Sequence, residues 1–105
     1  MINKVRDVLR VGDIVEFYSV GLKAKFITKV TKVTEKRFHC IVRYNTIAIV
    51  NNERVDARSI TKLGTKYISY DSIEKINGIK VHSYIKMQNE LNNLSSESEG
   101  QIKIA

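Results

Sequence analysis

The stretch from residue 24 to 44 constrains this chain most. AKFITKVTKVT is eleven residues rich in valine and threonine, with neither glycine nor proline, and FHCIVRY repeats that character after a polar turn at Thr34-Glu35-Lys36-Arg37. β-Branched and aromatic residues at this density favour extended backbone over helix. Together the two arms predict a bent hairpin. In the second arm, Phe38, Cys40, Val42 and Tyr44 point one way, and His39, Ile41 and Arg43 the other. The first arm repeats Thr-Lys-Val at 28–30 and 31–33, a period of three that suits neither a flat strand nor a helix. A β-bulge inside a strongly bent strand reconciles it.

Other short strands flank this hairpin. DIVEFY at 13–18 alternates Ile14 and Glu16 against Val15 and Phe17, and Ser19-Val20-Gly21 turns the chain. IAIV at 47–50 and RVDARSI at 54–60 form a further pair joined by Asn51-Asn52, and Leu63-Gly64-Thr65 breaks the chain before a strand at 66–69. Several short strands at this spacing argue for a small barrel or sandwich. Helical signals lie towards the ends. Ile2, Val5 and Leu9 recur at helical spacing, with Val8 beside them and Gly12 as a stop. Asp71, Glu74 and Gly78 predict one or two helical turns over 72–77, followed by an extended segment at 79–81. Residues 83–94 are the best helix, with Tyr84, Met87, Leu91 and Leu94 on one stripe and Ile85 at its side. Ser95–Gly100 is acidic, small and polar, so 95–105 reads as a mobile tail on a single β-rich domain spanning 1–94.

A chain of 105 residues is one domain by size, able to bury roughly 60–70% of its unfolded surface. The single cysteine, Cys40, forms no internal disulfide and implies no oxidising compartment. No apolar run approaches the roughly 20 residues that span a bilayer, and the charged MINKVRDVLR start has no apolar signal core. A cytoplasmic protein, without membrane partners, is the expectation.

Charge is distributed unevenly. Residues 1–66 hold fourteen of the eighteen Lys and Arg against six of the eleven acids, for +8, while residues 67–105 hold four bases and five acids, for −1. A positive field on one part of a small protein attracts polyanions and speeds encounter with them. Isoleucine, lysine and asparagine supply about a third of the chain, and proline and tryptophan are missing. That usage matches an AT-rich bacterial genome, or a plasmid or phage living in one, and bears on origin alone.

The order of elements over 12–81 resembles the small β-barrels of the Src-homology, Sm-like and KOW-type group. The matching pieces are GDIVEF at 12–17, the bent hairpin 24–44, and KYISYDSIEKINGIKV with its strand, helical turn and final strand. The extra hairpin at 47–60 departs from that pattern, and the group has no invariant catalytic residue to carry over. A rival resemblance covers 69–105, where two helices flanking Gly78 and a strand at GQIKIA look like part of a winged helix-turn-helix. Against it, the supposed recognition helix balances Lys86 with Glu90 and brings little positive charge to phosphate.

The candidate binding set is Lys23, Lys25, Lys29, Lys32, Lys36, Arg37, Arg43, Arg54 and Arg58. Cations spaced along a strand track a phosphate backbone and release its condensed counterions. Arg54 and Arg58, four apart in a strand, would share a face and suit base edges. Lysines on strands also keep sheet edges soluble, which is the plainer account of each one singly. Tyr18 and Tyr44, near strand ends, are the candidates for base stacking, and with few other aromatics left for a surface, duplex DNA is favoured over RNA. His39 and Cys40 face opposite ways on a strand and His82 stands alone, so no metal site is expected. Asp71, Ser72, His82 and Ser83 cluster in sequence without a nucleophile–base pattern, and no cofactor motif or enzyme is expected. The Tyr84 stripe packs on its own domain or forms a homodimer seam. The expectation is a non-enzymatic DNA-binding accessory protein of a mobile element. The alternative is an inhibitor or adaptor docking an acidic partner.

Overall fold

The structure, a computed structural model, describes the backbone of residues 4–104 and the side chains of residues 4–92. Its organising element is β2 (Ala24–Val33), the ten-residue arm expected from the valine and threonine run. Along one edge β2 pairs antiparallel with β1 (Ile14–Ser19). Its other edge serves two strands in succession: β3 (Arg37–Val42) through Val30–Val33, and β4 (Ile47–Val50) through Lys25–Ile27. The expected bulge lies between Val30 and Lys32, where the register with β3 shifts. An extra residue there bends and twists the strand, so its two halves face different partners.

The remaining strands extend both halves. β5 (Glu53–Asp56) pairs with β4, and β6 (Gly64–Ser69) with β3. β7 (Ile73–Ile76) lies on the free edge of β1, and β8 (Ile79–Lys80) on β7. The protein is thus mainly antiparallel β, in one branched eight-stranded sheet. The sheet is open among the described residues, with β5, β6 and β8 at its edges. Two helices accompany it, α1 (Val5–Val8) and α2 (Val81–Ile104).

Alternation places the core as the sequence implies. Val15 and Phe17 of β1, Phe26 and Val30 of β2, and Phe38, Cys40 and Val42 of β3 are buried. Phe17 stacks on Phe26 at 5.4 Å between ring centroids and meets Phe38 edge-on at 5.8 Å. The Tyr70 hydroxyl donates to the carbonyls of Thr34 and Arg37, tying the turn after β6 to the β2–β3 turn. Val8, Leu9 and Tyr84 bring α1 and the first turn of α2 onto the same core.

Several expectations are corrected. The N-terminal helix is a single turn, and the second half of RVDARSI is a 3-10 turn (Ala57–Ser59), because the Asp56 carboxylate caps it by accepting from the Arg58 amide. The strand expected from residue 66 begins at Gly64. The helical turn expected over 72–77 is a 3-10 turn at Tyr70–Ser72, capped by Ser69 rather than Asp71, and β7 follows from Ile73. Gly78 does not end a helix. With Asn77 at φ 52° and Gly78 at φ 81°, the pair forms the two-residue turn of the β7–β8 hairpin, the positive φ values that a primed turn requires. Asn77 also accepts from the Ile14 amide at 2.9 Å, pinning this turn to β1. The helix pair needed by the winged helix-turn-helix resemblance is therefore not formed. Finally, α2 continues beyond the expected end at Leu94 as far as Ile104, through most of the 95–105 segment read as a tail.

Candidate nucleic-acid interface

Where β2 changes partner from β4 to β3, the sheet divides and leaves a groove of about 360 Å³. Ile14, Ile27 and Ile41 supply its apolar wall, since outward positions of β1, β2 and β3 converge at the fork. Thr28, Thr31 and Thr46 add hydroxyls, and the buried Thr28 hydroxyl donates to the Ile41 carbonyl at 3.4 Å, bridging the split. Lys29 and Arg43 stand on the rim. Among the described residues, no carboxylate lines this groove.

The turn from Arg43 to Thr46, which links β3 to β4, closes one end. The Arg43 amide donates to Thr46 Oγ1 at 2.9 Å, and the Thr46 amide donates to the Arg43 carbonyl at 3.1 Å. Tyr44 is held at the tip of this locked turn with 65% of its surface exposed. The Arg58 guanidinium lies over the ring, 4.6 Å from its centroid. Arg58 is in turn gripped by Asp56, with Nε 3.1 Å from each carboxylate oxygen and Nη2 2.7 Å from Oδ2. Those hydrogen bonds from Arg58 hold the Asp56 carboxyl down at about 2 and push the guanidinium up. A second, shallower groove continues from Asn45 and Thr46 past Arg54 to Asp56.

The nine expected cations do not converge on one place. Lys29, Arg43 and Arg54 border the two connected grooves, and Arg58 reaches them through Tyr44. None of Lys29, Lys32, Arg43 or Arg54 makes an ion pair among the described residues. Lys25 shares the outward side of β2 with Lys29, but its Nζ is 3.2 Å from Glu74 Oε2. Lys23 stands apart on the β1–β2 turn at φ 52°, and Lys36 and Arg37 sit at the far end of β2 beside Glu35. Arg54 and Arg58 do not share a strand face, since β5 ends at Asp56.

Of the aromatic candidates, Tyr44 borders the groove while Tyr18 is on β1, paired across to Lys25. Tyr67 is 61% exposed and meets His39 edge-on. In the helical stripe, Tyr84 packs on the core, whereas Met87 and Leu91 are exposed, and the Leu94 side chain lies outside the described residues. Asp56 is the site residue that the sequence reading missed. An Asp two residues before Arg, at the start of a turn with Ser59 following, is a capping signal that was there to find. The Cys40 thiol is buried and pushed up to about 11 by loss of solvent. Comparison with family models, curated proteins and solved structures finds no match to this chain.

Proposed function

We propose that this protein binds nucleic acid without catalysing a reaction on it, holding backbone phosphates against the fork of β2. One observation carries the reading: Lys29, Arg43 and Arg54 border connected grooves without ion pairs among the described residues, and no carboxylate lines the deeper groove. Cations left unneutralised around a concavity favour an anionic ligand. Their spread over β2, the β3–β4 turn and β5, rather than in one deep pocket, suits the extended phosphate backbone of duplex DNA. On this reading β6-β3-β2-β1-β7, with the 3-10 turn joining β6 to β7, is a small bent barrel of the Src-homology, Sm-like and KOW-type group. The β4–β5 hairpin is then the insertion that completes the site. The setting is the cytoplasm, as an accessory factor of a plasmid, phage or conjugative element.

The test is binding to a labelled duplex across a salt series. Three phosphate contacts, from Lys29, Arg43 and Arg54, predict a log–log slope of about −2.7. Affinity indifferent to salt would sink the proposal. A second reading, docking of a protein partner, draws on the outer edge of β6, which among the described residues pairs with β3 alone and offers a place for an added strand. Nuclease-resistant co-purification with an acidic protein, together with salt-insensitive DNA binding, would favour it.

A further inference from the structure

We infer that the groove at the fork of β2 seats one unpaired base of the bound nucleic acid, stacked on Tyr44. The inference rests on the nucleic-acid reading and adds what the ligand must present: a base outside the duplex stack. A base inside a duplex has both faces covered by its neighbours, so stacking on a side chain requires it to be unpaired or extruded.

The platform is built, rather than a stray surface tyrosine. Tyr44 sits in a turn closed by reciprocal hydrogen bonds between Arg43 and Thr46. The Ala57 amide donates to the Thr46 carbonyl at 2.9 Å, fastening the 3-10 turn that carries Arg58 to the turn that carries the ring. Asp56 then fixes the guanidinium bidentately, and Arg58 covers the ring at 4.6 Å. Cation–π and planar stacking of this kind hold a tyrosine in one orientation. Arg58 takes no part in lining the groove, whereas Tyr44 does, so the ring serves both.

The groove matches the rest of a nucleotide. Its volume, about 360 Å³, is at the small end of sites that hold small organic molecules. Ile14 and Ile27 offer a flat base an apolar wall, and the Thr31 hydroxyl and Asn45 side chain offer hydrogen-bonding partners for its edge. Lys29 and Arg43 on the rim stand where the flanking phosphates would pass.

Three labelled probes of equal phosphate count test the inference: a fully paired duplex, one with a single bulged thymine, and one with an abasic residue at the bulge. The thymine bulge should bind about tenfold more tightly than the abasic bulge, the scale of one base–aromatic stack. Tyr44→Leu should erase that difference, so that thymine and abasic bulges bind alike, whereas Tyr44→Phe should keep it. Equal binding of thymine and abasic bulges by the wild-type protein overturns the base seat and leaves phosphate binding standing. A preference that survives Tyr44→Leu also overturns it, because the base then stacks elsewhere. Failure to bind any of the three would overturn the nucleic-acid reading itself.

Discussion

Neutralising the two rim cations together, as Lys29→Gln with Arg43→Gln, gives the most exacting test of the interface. Both side chains are exposed and neither makes an ion pair among the described residues. Stability should therefore change by no more than about 0.5 kcal/mol, as for ordinary surface substitutions. Binding should respond differently. Each phosphate contact to duplex DNA contributes about 0.9 to the slope of log affinity against log salt, so removing two makes the slope shallower by about 1.8. With Lys29, Arg43 and Arg54 engaged, raising salt from 50 to 200 mM weakens the wild-type complex about 40-fold, and the double variant only about three- to fourfold. Fluorescence anisotropy on a labelled duplex measures both slopes. Lys25→Gln is the control: that lysine is on the same side of β2, yet it is engaged by Glu74 at 3.2 Å and should leave the slope nearly unchanged. An unaltered slope in the double variant, or an equal change in the control, would refute the assignment of Lys29 and Arg43 to phosphate.

Three further outcomes concern the scaffold. Phe38, wholly buried between Phe17 and Tyr70, should cost about 3–5 kcal/mol on truncation to alanine, read as a lower urea midpoint or loss of the fold. Gly78→Val should destabilise the protein by at least about 1–2 kcal/mol, a penalty that comes from the backbone at φ 81° because nothing crowds the new Cβ within 4 Å. The Cys40 thiol, held up near 11 by burial, should resist a thiol reagent at pH 8 in the folded protein and react on unfolding. Its linkage to stability follows the same direction. The unfolded thiol loses its proton first as pH rises, so this contribution is present below about pH 9 and declines towards about pH 11. Rapid labelling of native protein would count against the buried geometry.

Much of the architecture was legible because strand signals here are local. Valine and threonine density marked β2, and parity of side chains separated Phe38, Cys40 and Val42 from His39 and Ile41. The period-three repeat located the bulge, since an added residue is the way a strand absorbs a broken alternation. The reading failed at Ser72–Gly78. Capping-type residues there mimic a helix start, although Asn77-Gly78 between two isoleucines is a hairpin signal in its own right. Alternation also leaves open which face of a strand meets the core, and in β6 Tyr67 lies on the exposed one.

From the sequence alone came the class of this protein, mainly β with an excess of positive charge in its first two-thirds, and the identity of the strand that bends. Composition and period are properties of neighbouring residues, and these follow from them. The functional geometry does not. Lys29, Arg43, Tyr44 and Arg58 meet because β2 changes partner at its bulge and opens a fork, and because Asp56 turns Arg58 back onto Tyr44. The same contacts hold Lys25 and Arg58 against carboxylates and leave Lys29, Arg43 and Arg54 bordering the grooves. Pairing across the sheet and the sharing of one strand edge are long-range choices, so only the tertiary structure decided which charges face a groove.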